Sequence, residues 1–276
     1  MGYEDAKLAF AKDERAEQHF AEARFGQTYM SPKIEALPAG ANVLEVGCGS
    51  AILLCRLAMQ NPDISFLGLE PTGEGFNYTN AFHGFANSLP NAALKTIGYE
   101  DLETETRYDI IYLINVFEHL PNWRDFLSRL QSLLKPSGTC LILCPNYSFP
   151  YEPHFRLPII INKSVSQKLF GRQIEKIEDE ENGHGLWNSL NFVKYRQIIS
   201  IAKTLGLTVA FEKSIINDMI DRLNNDPEFL NRQKILKWPV WFAKKTRLIN
   251  AISEGRIFEA ILPYMYLSIT QSNDET

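Results

Sequence analysis

Charged residues between positions 4 and 25 are interleaved with Leu8, Phe10, Phe20 and Phe25, a spacing that predicts one or two surface helices leading into Pro32. From Asn42 to Val46 a short β-branched and apolar run (NVLEV) ends in Gly47-Cys48-Gly49-Ser50, and residues 51 to 59 continue as a helix closed by Asn61-Pro62. This is strand, tight turn, helix. A second strand runs from Ile64 to Leu69 and ends at Glu70-Pro71; a weaker helical stretch from about Gly75 to Ser88 precedes a short strand near Leu94 to Ile97. Tyr108 to Val116 reads as a buried strand, and Asn122 caps a helix whose Phe126, Leu127, Leu130, Leu133 and Leu134 recur at helical spacing. Lys135-Pro136-Ser137-Gly138 stops that helix, and Thr139 to Cys144 is all apolar, as a strand buried on both faces should be.

Strands alternating with helices across short joints define an α/β fold, a doubly wound parallel sheet with helices on both faces, over residues 42–146. Residues 1–41 form a helical preamble. The rhythm breaks over 147–191, which is rich in Pro, Tyr, Phe and His and carries the acidic run from Glu175 to Glu181; this is an insertion. The core resumes over 192–213 with a helix from Phe192, ended by Gly206, and a strand from Leu207 to Phe211. A second, helical and basic-aromatic insertion covers 214–256, and 257–276 supplies a seventh strand, from Ala260 to Thr270, and a tail.

The chain has 276 residues, 45% hydrophobic and 22% charged, which suits a globular core and excludes collagen-like and disordered readings. A formal net charge of -5 argues against coating nucleic acid through bulk positive charge. Cys48, Cys55, Cys140 and Cys144 sit in apolar stretches without the paired spacing of zinc or redox motifs and read as reduced core residues. No run approaches the roughly 18 apolar residues of a membrane span, residues 1 to 10 do not form a signal peptide, and Ala6 stands where the myristoylation pattern after Gly2 wants Ser or Thr. The expectation is a cytoplasmic protein.

A Gly-x-Gly turn between a buried strand and a helix lets the backbone approach a ligand and aims helix N–H groups at it. The third glycine of the dinucleotide fingerprint is replaced by Ile52, which disfavours NAD, and no Gly-Lys-Ser/Thr follows, which excludes a P-loop. Glu45 stands two residues before the first glycine, and Glu70 at the next strand's end, about twenty residues on, is placed to accept hydrogen bonds from ribose hydroxyls. Taken singly, Glu45 could equally cap local backbone and Glu70 could be a solvated strand end.

Together these residues resemble a known family. Glu45-Val46-Gly47-Cys48-Gly49-Ser50 is similar to the nucleotide-binding motif of class I S-adenosylmethionine-dependent methyltransferases, and Glu70 fits that family's ribose acid, followed by Pro71. Residues 108–121, through Asn115-Val116-Phe117-Glu118-His119-Leu120-Pro121, resemble the fourth strand and loop of the branch that includes quinone-biosynthesis methyltransferases, and Leu134 to Gly138 resembles its "LKPGG" turn. The resemblance implies a Rossmann-like, seven-stranded, mostly parallel sheet whose last strand is antiparallel. It also implies S-adenosyl-L-methionine as cofactor, held by Glu45, Gly47, Gly49, Glu70, Pro71, Asn115 and Val116, with Cys48 contributing its backbone N–H. Gly98 stands where the family often has an adenine-binding Asp, so adenine contacts pass to Tyr99, Glu100 and Asp101.

Methyl transfer from a sulfonium is an in-line displacement, so the protein must orient the acceptor and, for a hydroxyl, remove a proton. His19 and His83 fall on expected helix surfaces and read as solvated; His184, between Gly183 and Gly185, sits in a segment read as mobile. His119 lies at the mouth of the sheet as a candidate base or a structural member of its motif. His154 is the favoured base, with Tyr151 and Glu152 in the same loop. The 147–191 insertion emerges on the ligand side and reads as a lid, its aromatics and Trp187 suggesting an apolar or sugar-stacking pocket, with a dimerisation arm as the alternative. Residues 229–253 carry six Lys or Arg and no acid, with Trp238, Trp241 and Phe242 among them; this strip suits an anionic membrane surface, a nucleic acid, or packing on the sheet. The expected function is methylation, at a hydroxyl, of a small or lipid- or glycan-linked acceptor, against a nucleic-acid or protein methyltransferase or a non-catalytic cofactor-binding scaffold.

Overall fold

A computed structural model of the chain describes residues 2–12, 15–71, 81–180, 183–215, 218 and 262–272. The apolar runs form the strands β1 (Asn42–Val46), β2 (Ser65–Leu69), β3 (Ala92–Lys95), β4 (Tyr108–Ile114) and β5 (Leu134–Pro145). The short β6 (Tyr151–Glu152) and β7 (Leu157–Pro158) pair with each other as an antiparallel hairpin, and β8 (Leu207–Phe211) and β9 (Tyr264–Gln271) complete the main sheet. Its seven strands stand in the order β3-β2-β1-β4-β5-β9-β8. β1 is parallel to β2 and β4, and β2 to β3, with Glu45 opposite Tyr112 in the β1–β4 register. The helices are α1 (Tyr3–Phe10), α2 (Ala16–Ile34), α3 (Ile52–Gln60), α4 (Ala81–Ala86), α5 (Trp123–Leu133), α6 (Lys163–Glu180), α7 (Leu186–Ser189) and α8 (Tyr195–Thr204).

The chain forms two compact units. The first comprises residues 1–116, 122–141 and 269–276; the second comprises 117–121 and 142–268. In the first, the helices expected on the surface are part of the core, because their aromatics find one another. Phe10 is fully buried and meets the rings of Phe20 and Phe82 edge-on at 5.7 and 5.6 Å, while Tyr3 meets Phe82 at 5.5 Å. Burying such a ring contributes roughly 1.5–3 kcal/mol. α2 carries Pro32 in its last turn and ends at Ile34, two residues beyond the expected break. Lys135 to Gly138, read as a turn, belongs to β5: a Cβ on Gly138 would stand 2.6 Å from the Tyr108 carbonyl oxygen, so glycine admits a close strand approach there.

In the second unit the 147–191 insertion builds its own apolar core from Tyr147, Phe155, Leu157, Ile174, Trp187 and Leu190. Trp187 is 1% exposed, edge-on to Phe155 and Phe192 at 5.2 and 5.4 Å, so these aromatics hold the insertion together and do not line an open sugar-stacking surface. α8 begins at Tyr195, three residues later than expected. Asn191 explains the delay: its Nδ2 donates to the Phe117 and Leu120 carbonyls at 2.7 and 3.0 Å while its Oδ1 accepts from the Val193 N–H at 2.9 Å, which holds 191–193 out of the helix. The 229–253 strip lies outside the described residues. Among the described residues no helix is long and apolar enough to cross a membrane.

Candidate active site

In the first unit the segment after β1 turns sharply. Gly47, Gly49 and Ala51 all have positive φ, at 73°, 53° and 62°, before α3 begins at Ile52. A Cβ on Gly47 would meet Val116 Cγ2 at 2.5 Å, so the glycine is required both for its left-handed backbone and for space. The Gly47 and Cys48 N–H groups both donate to the Leu69 carbonyl, at 2.7 and 3.0 Å, locking the turn onto the end of β2. This corrects the expected role of Cys48, whose N–H is engaged by Leu69; burial, first of all, pushes its thiol well above the usual range.

Glu70 is buried, and its Oε2 accepts from the Gly49 N–H at 2.7 Å. Burial pushes its carboxyl up to about 7, against the lowering effect of that hydrogen bond. Glu45, 5% exposed, accepts from the Tyr112 hydroxyl across the β1–β4 register at 2.8 Å. Burial raises it to about 8, with the Tyr112 bond opposing and Glu70 adding to the rise. Asn115 and Val116 leave β4, Asn115 with φ 54°.

One expected contact changes. Tyr99 is 1% exposed; its hydroxyl donates to the Asn122 carbonyl at 3.1 Å and its ring packs edge-on to Phe126 at 5.1 Å, so its side chain anchors α5. Glu100 and Asp101, in the same 3-10 turn, are exposed, as is Pro71. His83, read as solvated, donates from Nε2 to the Gly49 carbonyl at 2.7 Å and steadies the turn from α4. A lone His in a weakly helical stretch gave no signal of this.

In the second unit, a different constellation gathers. Glu118 and His119 lie in the 3-10 turn Phe117–His119, and His154 follows β6. Glu118 is 0% exposed, with His154 Nε2 4.0 Å from its Oε1 and neither carboxylate oxygen hydrogen-bonded among the described residues. Burial lifts it to about 7, against the pull of His154. His154 Nδ1 donates to Glu152 Oε1 at 2.7 Å, and Glu152 also accepts from the Phe155 N–H at 2.6 Å and the Tyr147 hydroxyl at 3.2 Å. His119 packs its ring 5.5 Å from that of His154, and burial above all lowers its pKa to about 3. The structure therefore brings together His119 and His154, with Glu118 and Glu152 as partners that sequence reasoning did not place. Tyr151 is buried in the hairpin opposite Pro158. His184 is exposed, 3.6 Å from Asp179.

A glycine turn after the first strand and an acid at the end of the second are the arrangement that suits a nucleoside-containing ligand. The methyltransferase-domain family model matches residues 17–210, and the chain belongs to that family, as a class I S-adenosylmethionine-dependent methyltransferase. It is 36% identical over 217 residues to an uncharacterized protein of Mycobacterium tuberculosis, covering 77% of this chain and 73% of that one. It is 31% identical over 102 residues to a ubiquinone biosynthesis O-methyltransferase of Acinetobacter baumannii, covering 36% of this chain and 42% of that one. In fold, it matches Haemonchus contortus phosphoethanolamine N-methyltransferase 2, crystallised with S-adenosyl-L-methionine, with a TM-score of 0.52 at 13% identity over 93% of this chain and 53% of that one. The first unit fits such a cofactor: the Gly47–Gly49 turn has a backbone that side chains would crowd, and one Glu70 carboxylate oxygen is bonded to the turn, which leaves the other for a hydroxyl.

Proposed function

We propose that this enzyme methylates an oxygen on a small or lipid- or glycan-linked acceptor, with the donor held by the first unit and the acceptor hydroxyl received by the histidine cluster of the second. The carrying observation is the His154–Glu152 pair. Glu152 accepts three hydrogen bonds on its two oxygens and fixes the proton of His154 on Nδ1. Nε2 then carries the electron pair that draws a hydroxyl proton, a histidine-carboxylate arrangement suited to activating a weak oxygen nucleophile.

On the donor side, Glu70 accepts from ribose hydroxyls, the Gly47–Gly49 backbone lets the cofactor close in, Asn115 and Val116 border it, and the exposed Glu100 and Asp101 are the adenine contacts. Glu45 acts one step back, holding β1 to β4 through Tyr112. When bound, S-adenosylmethionine supplies a methyl group whose S–C bond breaks as the new O–C bond forms.

Labelled methyl transfer into fractionated lipid, polysaccharide, protein and RNA pools tests the reading. Label in a hydroxyl-derived ether of the lipid or polysaccharide pool, or of the small molecules left after those four are removed, is expected; label confined to protein or RNA overturns it. The lipid-linked alternative draws on the 229–253 strip, whose six positive charges would contribute about 1 kcal/mol each near an anionic leaflet. Cosedimentation of the protein and of its Lys237→Glu, Lys244→Glu variant with anionic and neutral vesicles tests that contact. No binding to anionic vesicles at low salt removes it.

A further inference from the structure

Three side chains able to offer an electron pair converge in the second unit. Ser189 Oγ gives its one hydrogen to the Leu186 carbonyl at 2.8 Å, so toward His119 Nδ1, also at 2.8 Å, it can only accept. His119 therefore carries its proton on Nδ1 and its lone pair on Nε2. Glu152 imposes the same tautomer on His154 from 2.7 Å. Glu118 adds a wholly buried carboxylate with no hydrogen-bond partner on either oxygen among the described residues. One ligand atom from each of Glu118, His119 and His154 lies within 4.8 Å of the other two.

A buried carboxylate without a hydrogen bond is expensive. A cation offsets that cost. We propose that Glu118, His119 and His154 bind one divalent transition-metal ion, with Ser189 and Glu152 as the outer partners that orient the two imidazoles. Two neutral imidazoles and one carboxylate suit zinc, iron, cobalt or manganese, and leave coordination positions for an acceptor oxygen. At bond lengths of about 2.0–2.2 Å, ligand atoms stand roughly 3 Å apart, so the side chains draw in by about 1 to 2 Å on binding. The His154 side chain is 26% exposed, which gives the ion an approach from solvent.

The inference rests on the reading that this cluster receives the acceptor hydroxyl, but in it His154 Nε2 holds the ion and no longer takes the proton itself. A hydroxyl coordinated to the ion loses its proton to water near neutral pH, and the resulting oxygen forms the O–C bond as the S–C bond of the donor breaks.

The test uses chelator-treated full-length protein and Co2+ or Mn2+ alone, followed by calorimetry and, for Co2+, by visible absorption. The expected result is one ion per chain, with Glu118→Gln, the variant closest in shape, and His154→Ala each weakening binding by at least tenfold while S-adenosylmethionine affinity, read on the same samples, stays within twofold. Absence of binding at millimolar ion, or binding that neither substitution changes, overturns the metal site. Methyl transfer to a hydroxyl that persists in excess chelator also overturns it and leaves the oxygen-methylation reading standing; loss of both would sink the two together.

Discussion

The donor cradle and the histidine cluster treat buried carboxylates in opposite ways. Glu45 and Glu70 each accept a hydrogen bond from a neighbour fixed by the sheet, Tyr112 in one case and the Gly49 N–H in the other. Glu118, more deeply buried than either, has no such donor among the described residues. The turn is thus finished by the chain itself. The cluster is electrostatically incomplete, and whatever completes it gains most of its binding from supplying positive charge or a proton.

The sharpest way to break this comparison is Gly47→Val. It forces a branched residue to φ 73° and places carbon atoms on Val116 at 2.5 Å, so cofactor affinity should fall by roughly 10²–10³. Calorimetry with S-adenosylmethionine reads it, and near-normal affinity would mean that the turn is not the cradle. On the other side, His154→Ala should lower kcat by about 10² with cofactor affinity unchanged; equal loss of both would erase the division of labour between the units.

Glu70→Ala comes next, at roughly 1.5–3 kcal/mol of cofactor binding, since it removes a charge-assisted acceptor and leaves the Gly49 N–H without its partner. Unchanged affinity in a folded protein would take Glu70 out of the ribose contact.

The last effect is on stability, not on binding, and it depends on pH. Glu45 stands at about 8 when folded, against 4.5 as a model carboxyl, so the folded chain keeps a proton that the unfolded chain releases. Its contribution is therefore harmless below about pH 4.5 and increasingly destabilising up to about 8, with a slope of at most about 1.4 kcal/mol per pH unit. Denaturant melts of the ligand-free protein at pH 5 and 8 should show a shallower fall for Glu45→Gln. An equal fall would place the proton elsewhere, with Glu70 as the next group to examine.

Legibility in the sequence follows the same divide. The glycine turn was readable because its parts are local: a strand of five residues, a turn of glycines, a helix, and one acid at the next strand's end, each dictated by short-range sterics. The cluster was half readable. His119 and His154 could be named as candidates, but Glu118 and Glu152 read as part of a motif and as a loop neighbour, because nothing local announces that residues 118 and 154 meet. Their pairing is a product of tertiary packing in the insertion, where Asn191 ties the 117–120 turn down by side-chain hydrogen bonds. The same limit explains Tyr99 and His83. An aromatic near an adenine-binding position and a histidine on a short helix have several possible fates, and only the fold chose to bury one under α5 and bond the other to Gly49.

The contact between His83 and Gly49 reaches further than the turn it steadies. Phe82, its immediate neighbour, is clasped by Tyr3 and Phe10 of the first helix, and Tyr3 accepts from Arg56 Nε at 3.0 Å. The amino terminus is thereby wired to the donor pocket through a single short helix. Trimming the first ten residues, or appending a bulky tag that dislodges Tyr3, should loosen S-adenosylmethionine by several-fold without altering any residue that touches it. A preparation made that way would be mistaken for an inherently weak binder.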